Sequence, residues 1–521
     1  MERMTRPVGQ ACLLLLFCFS VATTSALPAM AQIPVQSGSV GAADPRFDHV
    51  RFQIRQVMRK EQLPSVSIAV AQHGKIIWEQ GFGWADREKL LPATSDTMYS
   101  LASISKPFTA TAIMELVQQG KIHLDSPAND YLGAAKITGL AGDASGATIR
   151  RILSHTSGLP LHWQFFYSNE DDPAPPMDET ISRYAILVNP PGEVYQYSNL
   201  GFGILGYILS REAGVSYADA MRTLVFAPLD LTHTSVGIGP GLENYAAARY
   251  DSQMRPIPFY TFDHLGASAI YSSAHDLVRF AMFHLKDHLS DQQPILSDST
   301  IDLMHQPVTP MNTPSEFYAL GFFGSSDDHG LKTVGHDGGM PGVSTIMRLY
   351  SDQDLALVVL TNTSPADVYG SVPAVPGIAQ DIVAALIPRY ARNLELPRKE
   401  TPSRHPYHPV PELLGAWTGT VRTWQATIPF QLVFQPDGDI HVKLGDQLEA
   451  LLDGAEWQDN MLVGVFAGSI PTPDAERFRH HMRLELWMRN GKLEGEANAE
   501  AAEEPAHYSL ASYVELSRTK H

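Results

Sequence analysis

Apolar and polar positions repeat with two different periods along this chain, and the change from one to the other divides it. Phe47 to Met58 has helical periodicity, whereas Ser65 to Ala71 alternates as a strand does. His73-Gly74 then turns the chain into Lys75 to Glu79 as a hairpin partner. A helix is predicted from Ser103, because Phe108, Ala112, Ile113, Leu116 and Val117 recur every three or four residues and Gly120 stops the run. This spacing predicts an amphipathic helix. Ala147 to Leu153 reads as a short helix leading into the polar turn Ser154 to Pro160. Residues 161–180 place Trp163, Phe165, Phe166 and Tyr167 before acids and prolines, a pattern that suits a surface lid or rim better than a core element. Helices follow at Phe202 to Arg211 and Leu277 to Leu285, the second capped by Ser272 to Asp276. Strands begin at Lys332 to His336 and continue through Ser344 to Tyr350 and Leu355 to Thr361, with a helix from Ile378 to Ala391. Strands at both ends with helices between them imply one α/β (α+β) domain whose sheet is completed by its C-terminal strands.

Residues 393–411 are proline-rich and charged, as an exposed linker is. Beyond them short alternating segments are separated by turns such as Pro436-Asp437-Gly438-Asp439 and Arg489-Asn490-Gly491-Lys492, which predicts a small all-β barrel or sandwich. The expected division is therefore 1–31 targeting segment, 32–392 α/β domain, 393–411 linker and 412–521 barrel.

Composition narrows the class. The 521 residues are 44% hydrophobic and 18% charged, as in an ordinary globular protein. A net charge of -18 argues against nucleic acid or an anionic membrane surface as the main partner. At the N-terminus Arg3 and Arg6 precede the apolar run Ala11 to Ala22, and Ala29-Met30-Ala31 supplies a small-x-small cleavage site before Gln32. That run is too short to span a bilayer comfortably. A cleaved export signal and a periplasmic or secreted product are expected; an uncleaved anchor is the alternative. Both cysteines, Cys12 and Cys18, lie inside this segment, so the mature chain would hold together without disulfides.

Candidate chemistry begins at Ser103-Ile104-Ser105-Lys106. Three residues apart, the serine and the lysine share one helical face, and Pro107 is tolerated in the first turn. A lysine held out of water loses part of its preference for the charged form and can take the serine's proton. Alone, this spacing is weak: Ser517-Arg518-Thr519-Lys520 repeats it on the tail, and Ser103 alone could be a helix cap. Two further pieces follow in order. Tyr197-Ser198-Asn199, on a turn entering a helix, offers a phenol and a carboxamide. Gly335-His336-Asp337-Gly338-Gly339 brings an imidazole on a strand beside glycines that let a substrate approach the backbone closely. Tyr167-Ser168-Asn169 repeats the second motif, but no helix follows it. The twenty histidines show neither H-x-H-x-D-H nor H-E-x-x-H spacing, and nucleotide-binding glycine loops are absent, so the reading calls for no metal and no cofactor.

Together, Ser103-x-x-Lys106, Tyr197-x-Asn199 and His336-x-Gly338 resemble the serine β-lactamase and penicillin-binding-protein-like hydrolases. The branch most similar is that of class C β-lactamases, family VIII-type esterases, D-aminopeptidases and D,D-peptidases. Leu153 to Pro160, Pro191-Gly192 and Gly335 to Gly342 resemble it too, and the likeness covers roughly residues 45–390. The resemblance implies a β-lactamase/transpeptidase-like fold, an antiparallel sheet flanked by helices, with acylation of Ser103. Lys106 and Tyr197 would move the proton, Asn199 would bond the substrate amide or the lysine, and the N–H groups of Ser103 and Gly339 would form an oxyanion hole. Histidine at 336 stands where many relatives carry lysine, and no Lys-Thr-Gly is present. This lowers the expectation for β-lactams and raises that for small esters and for peptides or amides of D-configured residues. Gly415-Ala416-Trp417 is similar to the first strand of lipocalin-like barrels. The competing readings are a non-catalytic protein whose barrel holds an apolar or cell-wall ligand, and a transpeptidase or β-lactamase proper. The partner is a small-molecule or peptide substrate, and oligomeric state stays open.

Overall fold

The computed structural model of the chain describes residues 33–311, 313, 315–326, 330–364, 374–393 and 406–519. The expected targeting segment and most of the predicted linker lie outside them. Among the described residues, one antiparallel sheet of nine strands runs in the order Thr309–Pro310, Glu316–Tyr318, Phe323–Ser326, Lys332–Met340, Val343–Tyr350, Leu355–Thr361, Ser65–Gln72, Lys75–Asp86, Leu91–Pro92. The first strand in sequence pairs with the late strand Leu355–Thr361, Ile68 opposite Val359, so the sheet is completed from both ends of the segment. His73 and Gly74 both have positive φ, as a two-residue hairpin requires.

Both faces of the sheet are covered. The helix Ala274–Leu285 packs on Ser65–Gln72 and Leu355–Thr361, and Ser273 caps it by accepting from the Asp276 N–H. Asp48–Lys60 packs against Ala374–Leu386, which lies over Leu355–Thr361. The expected single helix from Ile378 to Ala391 is two, Ala374–Leu386 and Pro388–Asn393, because Pro388 cannot continue the first.

Two expectations are corrected. The helix Ser105–Gln118 is not amphipathic: every residue from Ser105 to Met114 is buried. Its two threonines find carbonyl acceptors, Thr109 Oγ1 donating to Gly266 O at 2.6 Å and Thr111 Oγ1 to Pro107 O at 2.8 Å. Nor are residues 163–167 a lid. Trp163–Tyr167 is a fully buried strand, paired with Tyr260–Phe262 on one edge and with Tyr508 and Ser509 on the other. The acids that follow dock on the C-terminal part, where Arg477 meets Glu170 at 3.2 Å and Asp172 at 3.1 Å.

That C-terminal part is a nearly closed barrel. Its strands run Ala450–Leu451, Ile440–Leu444, Thr427–Phe434, Gly415–Arg422, Tyr508–Arg518, Lys492–Ala501, His480–Arg489, Met461–Phe466, Asp453–Gln458. The two outermost strands are consecutive in sequence, separated by Leu452 alone, so this interrupted segment brings the edges together. Trp417, Phe430, Leu432, Leu462, Leu484 and Leu516 fill the interior, each at most 2% exposed. Ser517 of the second S-x-x-K sits in a barrel strand opposite Lys492, and Lys520 lies outside the described residues.

The barrel also grips the turn before Tyr197. Arg489 donates to Asn189 Oδ1 at 2.8 Å and pairs with Glu193 at 3.1 Å, while Gln196 Nε2 donates to Glu496 Oε1 at 3.0 Å. Burial, then the charge of Glu485, pushes the Glu496 carboxyl up to about 8. The folded state therefore keeps a proton that the unfolded carboxyl loses above its ordinary value near 4.3. Stability from this group is complete at low pH and is lost as pH rises towards 8. The wild-type melting temperature is expected to fall between pH 5 and pH 8, and Glu496→Gln to flatten that fall. Thermal melts at both pH values check it, and equal slopes in the two proteins would place an ionised carboxylate in the joint.

Candidate active site

Between Thr97 and Met114 one residue is not buried, and it is Ser103. It sits in the 3-10 turn Ala102–Ile104, immediately before the helix that starts at Ser105. Ala102 precedes it at φ +48, a left-handed conformation costly for alanine, which marks the turn as strained. One turn on, Lys106 is fully buried, with Nζ 3.1 Å from Ser103 Oγ, 2.8 Å from Asn199 Oδ1 and 3.2 Å from Ala267 O. Desolvation lowers its pKa well below the ordinary lysine value. In the neutral form the amine donates its two hydrogens to Asn199 and Ala267, leaving its lone pair for the Ser103 hydroxyl. This arrangement can accept a proton from Ser103.

Asn199 opens the helix Asn199–Ala213, capped by Ser198, whose Oγ accepts from the Gly201 N–H at 2.9 Å. Along this helix Gly203 makes room for His264: a Cβ on Gly203 would stand 2.9 Å from the His264 Cβ. The short helix Leu265–Ser268 can thus press close enough to bring the Ala267 carbonyl to Lys106. Tyr197, half-buried, hydrogen-bonds Ser103, and its ring centroid lies 4.7 Å from Lys106 Nζ. Desolvation outweighs that hydrogen bond and raises the phenol's pKa, so the phenol keeps its proton while burial drives the neighbouring amine towards its neutral form. The other Tyr-Ser-Asn is elsewhere: Tyr167 is buried on its strand and its hydroxyl donates to Ala506 O.

The third motif lies on Lys332–Met340. Its glycines have separate tasks. A Cβ on Gly338 would stand 2.1 Å from Leu101 O, so that position admits the protein's own nucleophile segment rather than a substrate. Gly339 is exposed and lines the cavity with Ser103. His336 is buried, donating from Nδ1 to Asp337 O at 2.6 Å and accepting the Tyr318 hydroxyl on Nε2 at 3.1 Å. Both nitrogens suit the neutral ring, and desolvation, then the Lys106 charge, lowers its pKa well below the ordinary value. It stands behind the cavity, not on its wall.

The cavity has a volume of about 480 Å³. Its floor is Ser103, Tyr197 and Asn199; Leu161, Trp163, Phe165 and Met340 form apolar walls; His264 and Ser268 close one side. Arg483, Glu485 and Glu500 of the barrel complete the mouth. Sequence reasoning did not single out these three, nor His264, nor His155. His155 accepts the Ser198 N–H on Nδ1 at 3.1 Å and packs 4.3 Å from the Tyr197 ring, fixing that turn. The phrase Leu153 to Pro160 was the one signal for it.

A nucleophile turn, a desolvated lysine and a tyrosine above an antiparallel sheet define a serine hydrolase of the β-lactamase and penicillin-binding-protein class. The model of the Beta-lactamase family matches residues 51–374, and the chain belongs to that family. It is 30% identical to penicillin-binding protein 4 of Amycolatopsis lactamdurans over 335 residues, 61% of this chain and 86% of that one. Penicillin-binding protein 4* of Bacillus subtilis (strain 168) is 27% identical over 337 residues, 60% of this chain and 71% of that one. Among solved structures, SurE with D-Leu superposes with a TM-score of 0.59 at 21% identity, covering 91% of this chain and 99% of that one, so the likeness of fold runs through the barrel.

A base that must be neutral sets the pH dependence. Acylation is expected to fail as pH drops through the lowered pKa of Lys106, and Lys106→Arg, permanently charged, to lose about 10²- to 10⁴-fold at every pH. The burst of p-nitrophenolate from an activated ester, measured from pH 5 to 9, reads this; a flat wild-type profile would remove Lys106 as the base.

Proposed function

We propose that the protein hydrolyses a small ester, or an amide or peptide of a D-configured residue, through an acyl-enzyme at Ser103. One observation carries this reading: Lys106 Nζ is 3.1 Å from Ser103 Oγ while two carbonyl oxygens occupy its other donor directions. Ser103 attacks the carbonyl as Lys106 takes its proton, Tyr197 passes a proton to the leaving group, and Asn199 holds the amine. The N–H groups of Ser103 and Gly339 receive the oxyanion.

Two features favour these substrates over β-lactams. His336 is neutral where a lysine would give a fixed cation for a carboxylate, and the walls Leu161, Trp163, Phe165 and Met340 suit an apolar group. The D-configured arm agrees with the D-Leu described for SurE. The ligand-carrier reading is less favoured, because side chains fill the barrel's interior. A panel of a p-nitrophenyl ester, a D-alanine anilide, a D-Ala-D-Ala peptide and a chromogenic cephalosporin, with and without an added amine, tests the proposal. Turnover of the ester or a D-substrate, lost in Ser103→Ala, is expected; cephalosporin as the best substrate would make it a β-lactamase, and amine-dependent product a transpeptidase.

We further propose export with cleavage after Ala31, on the pattern of Arg3, Arg6, the apolar run and Ala29-Met30-Ala31. N-terminal sequencing of protein from the periplasmic or culture fraction should begin at Gln32; an intact N-terminus in the membrane fraction would instead indicate an anchor.

A further inference from the structure

A second base faces the same cavity. His264 lines it together with Ser103, Tyr197 and Asn199. Its Nδ1–H donates to Asp263 Oδ1 at 2.6 Å, which fixes the tautomer and leaves Nε2, with no protein partner among the described residues, as the ring atom available to the cavity. Asp263 is wholly enclosed. Its other oxygen accepts from His162 Nε2 at 2.8 Å and from Gln164 Nε2 at 3.0 Å. Burial alone would push this carboxyl up, but the charge and hydrogen bonds of His162, together with His264, outweigh it and hold it an anion. An anion buried behind an imidazole, with every other contact supplied by donors, orients that ring as the aspartate of a Ser-His-Asp triad does. Yet here the nucleophile already has its base in Lys106.

We propose that His264, held by Asp263, takes the proton from the water or amine that resolves the acyl-enzyme. The inference rests on the acyl-enzyme reading and deepens it. In this step the incoming oxygen or nitrogen bonds to the acyl carbonyl carbon as its proton passes to His264 Nε2. The bond from that carbon to Ser103 Oγ then breaks, and the proton held by His264 passes to Oγ, so that Ser103, His264 and Lys106 all end as they began. Asp263, His162 and Lys106 act on the ring, and the cavity it lines also holds Arg483, Glu485 and Glu500 of the barrel. Burial outweighs the Asp263 bond and keeps its pKa below the ordinary value, so the ring is neutral and able to accept. Asp263 is a positioning residue; His264 meets the reacting water and is catalytic.

The test separates the two steps with a p-nitrophenyl ester. In His264→Ala the burst of about one p-nitrophenolate per enzyme is expected to persist, while steady turnover falls about 10²-fold or more. An acyl adduct on Ser103 should accumulate in the intact mass. Added imidazole should restore turnover in His264→Ala but not in Ser103→Ala, a rescue that a merely structural role would not give. His264→Gln, closer in volume, should behave alike apart from the rescue, and melting curves show whether either variant is folded. Unchanged turnover in folded His264→Gln would overturn the assignment. Equal loss of burst and turnover, without imidazole rescue, would do so too. Failure of the underlying reading looks different: wild type forms no adduct, or Ser103→Ala keeps its turnover.

Discussion

The site depends on keeping one amine dry. Lysine is among the residues most costly to bury, and among the described residues no carboxylate pairs with buried Lys106. It stays because the neutral form is satisfied: two carbonyl acceptors for its hydrogens, one hydroxyl for its lone pair. Much of the surrounding architecture serves that condition. The helix that carries Lys106 is buried from Ser105 to Met114, and its two threonines both find carbonyl acceptors there. Small residues on the helix Asn199–Ala213 let Leu265–Ser268 approach, and that approach delivers the Ala267 carbonyl.

The second constraint is positional and comes from the barrel. Tyr197 follows a turn whose flanks are held by Arg489 and Glu496, and the cavity wall Trp163–Phe165 lies on a strand extended by Tyr508 and Ser509. Neither the tyrosine's approach to Ser103 nor the wall opposite it is set by the sheet domain alone. Arg483, Glu485 and Glu500 then bring barrel charges to the cavity that Ser103 lines.

What could be read from the sequence follows from this arrangement. Contacts that are local or periodic were legible. The His73-Gly74 hairpin, the Ser273 cap, the paired strands Val343–Tyr350 and Leu355–Thr361 and the three motifs all announce themselves within a few residues. Contacts supplied from far along the chain were not. Trp163–Tyr167 sits before an acidic, proline-rich stretch and looks like a rim until a partner more than 340 residues later covers its edge. Ser105–Gln118 shows helical spacing, but nothing in it says that the opposite face is covered as well. Ala102 gives no hint of its left-handed backbone. Asp263-His264 is an unremarkable dipeptide until His162 and Gln164 are folded against it.

These distant contacts also bear on the order of events. Lys106, His155, His264 and His336 are basic groups enclosed around one cavity, and each has its pKa lowered first by burial. The charge of Lys106 then lowers each of the three imidazoles further. With Asp263 turned to His162 and His264, the countercharge left at the cavity is that of Glu485 and Glu500 from the barrel, beside Arg483. On the proposed path, His264 is at its weakest as a base while Lys106 carries the proton taken from Ser103. Once that proton has left with the leaving group, His264 regains its strength. Burial is the first cause that inclines all four bases to the neutral form, and the charge of Lys106 adds to it at the three imidazoles.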